Sequence, residues 1–338
     1  MVETTQGALH SSQTATEQPK SDTSSLKILG GFSRKFRTLA ASILPAGMMF
    51  TAQALAVEAG EPIQQSDEED RRGSLVIVGG GDELPKEVID ELFTLATYAH
   101  KKIRLVLIPT GKSLPESRKA SENFWRETVG ARTSDGTVDV VHTNDPSEAK
   151  KPEFVAPLKE ANFVWFSGGN QNLITAAYFG TDVQTEVEEV LRRGGVVGGT
   201  SAGAAIMSKN MIAGGKTIPV IRPGLGYFNG GFIDQHYGER NREGRLTEAV
   251  RMYLDSCGFG IDEETALVVR GVRQKIGTGD WQETPHGKWF AFVLGKGKVH
   301  LLESSSTPIT SYGHLQTISF SNSNTKTEAT ITAPLLTP

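Results

Sequence analysis

Residues 194–208 read GGVVGGTSAGAAIMS. Val196 and Val197 open a short, β-branched, glycine-bounded run, the pattern of a buried strand. The small residues from Ala202 onward read as a helix, and between the two lies a sharp turn with Ser201 at its crest. Gly199-Thr200-Ser201-Ala202-Gly203 fits G-x-S-x-G, the strand–turn–helix elbow that presents a nucleophilic serine. A side chain at either glycine would collide with the neighbouring strand or helix. The bend also brings the Ala202 amide to a helix N-terminus, where it can stabilise an oxyanion. An ordinary glycine-rich turn for phosphate is the other reading of so short a motif. Against it, no Lys-Ser/Thr follows as in a P-loop, and the spacing is not G-x-G-x-x-G.

Outward from this elbow the same alternation recurs. SLVIVGGG (74–81), IRLVLIPT (103–110) and ANFVWFSGGN (161–170) read as buried strands running into turns. PKEVIDELFTLATYA (85–99) and TDVQTEVEEVLRRG (181–194) carry apolar residues at helical spacing. Strand–helix alternation of this kind predicts a mostly parallel sheet covered on both faces. From about residue 265 the pattern shifts to short alternating stretches, ALVVRGVRQKIGTGDW (266–281) and KWFAFVLGKGKVHLLE (288–303), expected as antiparallel strands at one edge of the sheet. Residues 304–338 form a Ser/Thr-rich tail, either disordered or adding a strand through LQTISFS (315–321).

The chain has 338 residues and a formal charge of −4, which implies no nucleic-acid partner. Its single cysteine, Cys257, excludes an internal disulfide and any cysteine-rich metal site, and reads as a small buried apolar residue. No metal and no cofactor is expected. The N-terminal region is Ser/Thr/Gln-rich, then basic in KILGGFSRKFR (27–37), then apolar in TLAASILPAGMMFTA (38–52), and ends in Ala54-Leu55-Ala56. That order reads as a secretory signal peptide over 1–56 with a long n-region, cleaved after Ala56. The apolar run, broken by Pro45 and Gly47, is short for a stable membrane span of roughly 20 residues. The protein is therefore expected to be secreted or periplasmic. Residues 57–72 follow as an acidic linker and 73–303 as the catalytic domain.

A serine needs a base. Of the seven histidines, His10 lies in the leader, and His100, His142, His286, His300 and His314 stand among charged or loop residues and read as solvated. His236, just after a glycine-bounded apolar strand, is the best-placed base. Asp262 and Glu263, between a glycine-rich run and a strand, both offer an orienting carboxylate. The order Ser, His, acid differs from that of α/β-hydrolases, and equivalent triads arise on unrelated folds.

GGGDE (79–83), FSGGNQNLI (166–174), GGTSAGAAIMS (198–208), DQHYGERNREGRL (234–246) and GIDEETAL (260–267) together resemble, in order, the cyanophycinase branch of the peptidase E family of serine peptidases. The resemblance implies a flavodoxin-like α/β/α sandwich, related to class I glutamine amidotransferases. It implies Ser201 as nucleophile, His236 as base, Glu263 as orienting acid, and an oxyanion hole from the amides of Ala202 and a glycine of Gly168-Gly169, with Gly169 favoured. It further implies a pocket of Gln171, Asp234, Gln235, Arg240, Arg242 and Arg245. Cyanophycinases release β-aspartyl-arginine from multi-L-arginyl-poly-L-aspartate, so a peptide or polypeptide rich in Asp and Arg is the expected substrate. An aspartyl dipeptidase like peptidase E, or a non-catalytic binding protein retaining the fold, are the alternatives. Arginine forks suit carboxylates and Asp234 suits a guanidinium, while a solvated mixed-charge helix is the other reading of ERNREGR (239–245). Asn170 stands at an aspartate of the family motif, and Glu239 and Glu243 interleave the arginines. The oligomeric state stays open, with a homodimer among the options.

Overall fold

The apolar runs read from the sequence become the centre of an eight-stranded sheet. In chain order the first half comprises β1 (Ser74–Val78), α1 (Lys86–Tyr98), β2 (Arg104–Ile108), α2 (Pro115–Gly130), β3 (Thr137–Val140), α3 (Pro152–Glu160), β4 (Phe163–Phe166), α4 (Gln171–Tyr178), α5 (Asp182–Arg192), β5 (Val196–Thr200) and α6 (Ala202–Ala205). There follow β6 (Asn210–Gly214), β7 (Val220–Pro223), β8 (Gly231–Gln235), α7 (Glu243–Met252), β9 (Cys257–Ile261) and β10 (Thr265–Arg270). The last described elements are β11 (Gln274–Ile276), β12 (Asp280–Gln282), β13 (Lys288–Gly295), β14 (Val299–Leu302), β15 (Thr310–Tyr312) and β16 (Thr317–Ser321). This computed structural model describes residues 73–98, 102–254, 256–270, 274–276, 280–282 and 288–321, all within the unit spanning 62–338. The leader and linker expected over 1–72, and the tail beyond 321, lie outside the described residues. Among the described residues no helix is long and apolar enough to cross a membrane.

The main sheet runs β16-β13-β10-β1-β5-β4-β2-β3. Its pairs from β1 to β3 are parallel, and β10, β13 and β16 extend it antiparallel. Counted from β2, the order β3-β2-β4-β5 is the flavodoxin order 2-1-3-4, and its fifth place is taken by β1, the first strand of the chain. Successive β1 residues face opposite layers, which is why the strand is apolar throughout. Leu75 and Ile77 pack with α3, α4 and α5, whereas Val76 and Val78 pack with α1 and α2. Trp125 of α2 meets Phe163 edge-on at 5.3 Å and Trp165 at 5.0 Å, closing the second layer.

One feature differs from the sequence expectation, and one choice left open there is decided. β14 leaves the main sheet and joins a second one, ordered β15-β14-β9-β8, in which β8 and β9 run parallel. The short, glycine-rich stretches that form it carry little periodic signal of their own. Of the two alternatives for the tail, a strand is present: Thr317–Ser321 pairs with β13, and Ile318 is 1% exposed in the main core. Ile318→Ala should therefore destabilise the protein by about 2–5 kcal/mol, the range for emptying a buried aliphatic site. Chemical denaturation followed by tryptophan fluorescence checks this; a loose tail would give a neutral substitution.

Candidate active site

The elbow folds as its glycines require. Ser201, between β5 and α6, has φ 52° and ψ −109°, a strained conformation for a residue with a side chain. A Cβ on Gly199 would lie 2.6 Å from the Gly203 carbonyl, and one on Gly203 would lie 2.2 Å from the Phe166 carbonyl. Only glycine fits at either place. Ser201 Oγ consequently stands free of the helix and lies 2.7 Å from His236 Nε2. The other ring nitrogen, Nδ1, lies 2.5 Å from Glu263 Oε1. A carboxylate can only accept, so Nδ1 carries the proton and Nε2 is left to accept from the serine hydroxyl.

The parallel pairing of β8 and β9 brings His236 and Glu263 together. Gln235 pairs with Ile261, so the chain leaves both strands side by side, at His236 and Asp262. His236 then turns at φ 51° and Glu264 at φ 50°. Gly80, at φ 120°, makes room for the imidazole, since a Cβ there would sit 2.2 Å from His236 Cε1. Three successive carbonyls at the end of β1 receive the three turns. Val78 accepts from the Ser201 amide at 2.9 Å, Gly79 from His236 at 2.7 Å, and Gly80 from Glu264 at 2.8 Å. Burial holds the His236 imidazole below its usual pKa of 6.5, assisted by the nearby Arg240 and Arg242 guanidinia and opposed by Glu263.

A cleft of about 910 Å³ opens over Ser201 and His236. Gly168 and Gly169 line it beside the serine, and the Ala202 amide starts α6, where backbone N–H groups lack intrahelical acceptors. Gly169 has φ 132°, and its Cβ position is occupied by the Gly111 carbonyl 2.1 Å away. The cleft walls carry Asp82, Glu83, Lys112 and Arg240, with Phe124 and Trp165 as apolar surface. Among the described residues no cluster of side chains suits a metal ion.

Of the six residues read as a substrate pocket, only Arg240 lines this cleft. Asp234 is fully buried, and Arg245 grips it through Nε at 2.9 Å and through Nη2. Arg242 donates to the same carboxylate at 3.3 Å and to the Gln235 carbonyl, and Arg245 reaches the Gly215 carbonyl at 2.8 Å. Burial pushes the Asp234 carboxyl up in pKa, against the two guanidinia that favour its charged form. The guanidinium expected opposite Asp234 is thus supplied by the chain itself. Gln235 is buried, and Gln171 donates to the Ile212 and Ala213 carbonyls, both at 3.2 Å, tying α4 to β6. His300, read as solvated, instead bonds Asp262 at 3.2 Å, and His142 bonds the Thr110 hydroxyl at 2.9 Å. Cys257 is half-buried, its thiol 3.8 Å from the Glu303 carbonyl. Sequence reading missed Gly80, Asp82, Glu83 and Lys112 as site residues. For the first three, GGGDE directly after a buried strand was the available signal, since cleft residues collect at the carboxyl ends of parallel strands.

The sequence model of peptidase family S51 matches residues 75–277. A cyanophycinase from Synechococcus elongatus is 30% identical over 218 residues, covering 62% of this chain and 61% of that protein. A cyanophycinase from Nostoc sp. is 27% identical over 252 residues, covering 72% and 77%. The chain thus spans less than two thirds of the first of these relatives. A peptidase from an acI-B1 Actinobacterium, of known crystal structure, superposes with a TM-score of 0.55 at 24% identity, over 74% of this chain and 97% of that one. That likeness is one of fold.

Three substitutions test the placement of these residues. Arg245→Ala strands a buried carboxylate and should cost roughly 3–5 kcal/mol of stability, read as a fall in denaturation midpoint. Arg240→Ala should leave the midpoint within about 0.5 kcal/mol, as exposed substitutions do. Gly80→Ala should abolish the Ser201–His236 geometry, so that labelling of Ser201 by a fluorophosphonate fails while circular dichroism still reports the native sheet.

Proposed function

The chain belongs to peptidase family S51, and from that premise we propose that it is a serine peptidase cleaving aspartyl or β-aspartyl bonds in the manner of a cyanophycinase. The observation that carries the reading is the linear array Ser201 Oγ–His236 Nε2–His236 Nδ1–Glu263 Oε1, with links of 2.7 and 2.5 Å, at the floor of an open cleft. In this reading Ser201 attacks the scissile carbonyl as its proton passes to His236 Nε2. The Ala202 amide and an amide of Gly168-Gly169 receive the negative charge that develops on the carbonyl oxygen. The imidazolium then protonates the leaving amine, and water, deprotonated by the same nitrogen, releases the acyl group from Ser201. Glu263 holds the required tautomer and stabilises the imidazolium. Arg240, on the cleft wall next to His236, suits a substrate carboxylate, and Asp82 and Glu83 suit a cationic side chain. A substrate bearing both charges, as in an arginyl-aspartate polymer, matches that pairing.

Because His236 must be neutral to accept the proton, and burial holds its pKa below 6.5, activity should persist down to that pH and fall only below it. Ser201→Ala and His236→Ala should each lower kcat on the order of 10⁴- to 10⁶-fold, without the losses adding in the double variant. Arg240→Gln should raise KM for carboxylate-bearing substrates and move the acid limb of kcat/KM to higher pH, because a cation near the imidazole is lost. Release of β-aspartyl-arginine from the polymer, compared with cleavage of Asp-X dipeptides, checks the substrate. Unchanged turnover in Ser201→Ala would overturn the mechanism. We extend the proposal to export: the pattern over 1–56 supports removal of a leader, and N-terminal sequencing of the protein from its host should start near Val57.

A further inference from the structure

The acid that faces His236 is the less buried of two neighbouring carboxylates. The Glu263 side chain is 33% exposed and the His236 side chain 9%. Asp262, which does not touch His236, is 14% exposed. A glutamate with several rotatable bonds and a third of its surface in solvent is not oriented by packing. Its direction must come from the backbone that carries it.

Asp262 supplies that constraint. Its Oδ1 accepts from the Gly238 amide at 2.9 Å, two residues after His236, and its Oδ2 accepts from the Lys298 amide at 3.0 Å. The Asp262 amide returns a bond to the Lys298 carbonyl at 3.1 Å. His300 Nε2 lies 3.2 Å from both carboxylate oxygens, while its Nδ1 lies 2.8 Å from the Ser311 hydroxyl. Asp262 is an acceptor, so Nε2 carries the proton and Nδ1 accepts from Ser311. The Tyr237 ring, one residue after the base, lies over the His300 ring with centroids 4.8 Å apart. A second tie runs the other way: the Glu263 amide donates to Glu239 Oε1 at 3.1 Å. The turn that bears the base and the turn that bears the acid are thus cross-linked twice, and the Asp262 tie is anchored in β14 through His300.

We infer that Asp262, held by His300, is a positioning residue that fixes the Glu263 turn against the His236 turn and so sets the His236–Glu263 hydrogen bond. The inference rests on the peptidase reading for its kinetic consequence only. Asn at position 262 keeps the size but offers one acceptor oxygen, too few for the Gly238 amide, the Lys298 amide and His300 together.

The test compares the full chain with Asp262→Asn, His300→Leu and His300→Gln by proton NMR and by kinetics. In the parent protein the His236 Nδ1 proton, bound to a carboxylate, should resonate far downfield. Asp262→Asn should lose that resonance and lower kcat roughly 100-fold, the scale expected when a reacting group is misplaced by about 1 Å, with KM little changed. Its acid limb should move to lower pH, since the contact with Glu263 favours the charged imidazole. His300→Leu should act in the same direction with a smaller loss, and His300→Gln, which keeps a donor at similar reach, should restore it. A normal resonance and kcat in Asp262→Asn would overturn the inference, whatever happens to the melting temperature. Should that variant fail to fold, identical resonances and rates in His300→Leu and His300→Gln would overturn it instead. Because the resonance needs no substrate, the positioning role and the peptidase reading fail separately: loss of the signal in Asp262→Asn supports the first even if Ser201 proves unreactive.

Discussion

Three consecutive carbonyls, those of Val78, Gly79 and Gly80, hold the amides of Ser201, His236 and Glu264. The chain reaches this point from three directions: the parallel sheet delivers Ser201, the second sheet delivers His236, and the crossing from β9 to β10 delivers Glu264. Each arrives in the left-handed region, at φ 52°, 51° and 50°. Such conformations cost on the order of 1–3 kcal/mol apiece and persist only where the surroundings over-determine them. Here the over-determination is visible. Each of these three residues spends its amide on the same short stretch of backbone. Its last two residues must themselves lack side chains, because a Cβ on Gly79 would lie 2.1 Å from the Asp262 carbonyl and one on Gly80 would enter the imidazole.

Beneath the His236 turn lies the enclosed Asp234 carboxylate with its two guanidinia. A buried ion pair contributes little net stability when compared with apolar packing, yet removing one partner is costly. Its effect here is geometric. Arg242 joins Asp234 to the Gln235 carbonyl, its amide donates to Tyr237 O at 3.0 Å, and the Arg240 amide donates to His236 O at 3.1 Å. The peptide from 234 to 242 is therefore wound around its own arginines. Of the three, only Arg240 is left facing the cleft, where its charge bears on His236.

How much of this was legible follows from what each residue signals locally. The parallel strands were, because burial on both faces writes them as unbroken apolar runs, Leu75 to Val78 being the clearest. The elbow was, because its G-x-S-x-G spacing stands in one short stretch and Gly199 is demanded by the Gly203 carbonyl four residues on, although Gly203 itself is demanded by Phe166 of β4. The fate of Asp234 was not. Its partners Arg242 and Arg245 lie eight and eleven residues on, at spacings equally suited to an exposed helix. One clue was present: a charged residue inside the apolar strand GFIDQ must be paired if that strand is buried. Likewise Asp262 and Glu263 stand side by side in the sequence, and His300, the partner that takes up Asp262, lies 38 residues away on a strand whose place outside the main sheet the sequence did not signal.

The strand order explains why one cleft can serve all these groups. The order in which strands are added reverses between the parallel strands β2 and β4, so a crevice opens beyond their carboxyl ends, where α/β sheets bind ligands. Gly111 and Lys112 follow β2, and Gly168 and Gly169 follow β4, which sets glycine amides at the crevice. β5 is the next strand and brings Ser201 to its rim. A plain flavodoxin order would place a late strand beside β5. Here β1 stands there, and its other edge is open to β10, the strand that Glu263 and Glu264 lead into. Putting the first strand in the fifth place lets Ser201 and Glu263 approach the same strand end from opposite edges. His236 then needs only to enter from above, through the parallel β8–β9 pair. A constellation assembled this way depends on strand order before it depends on any one side chain.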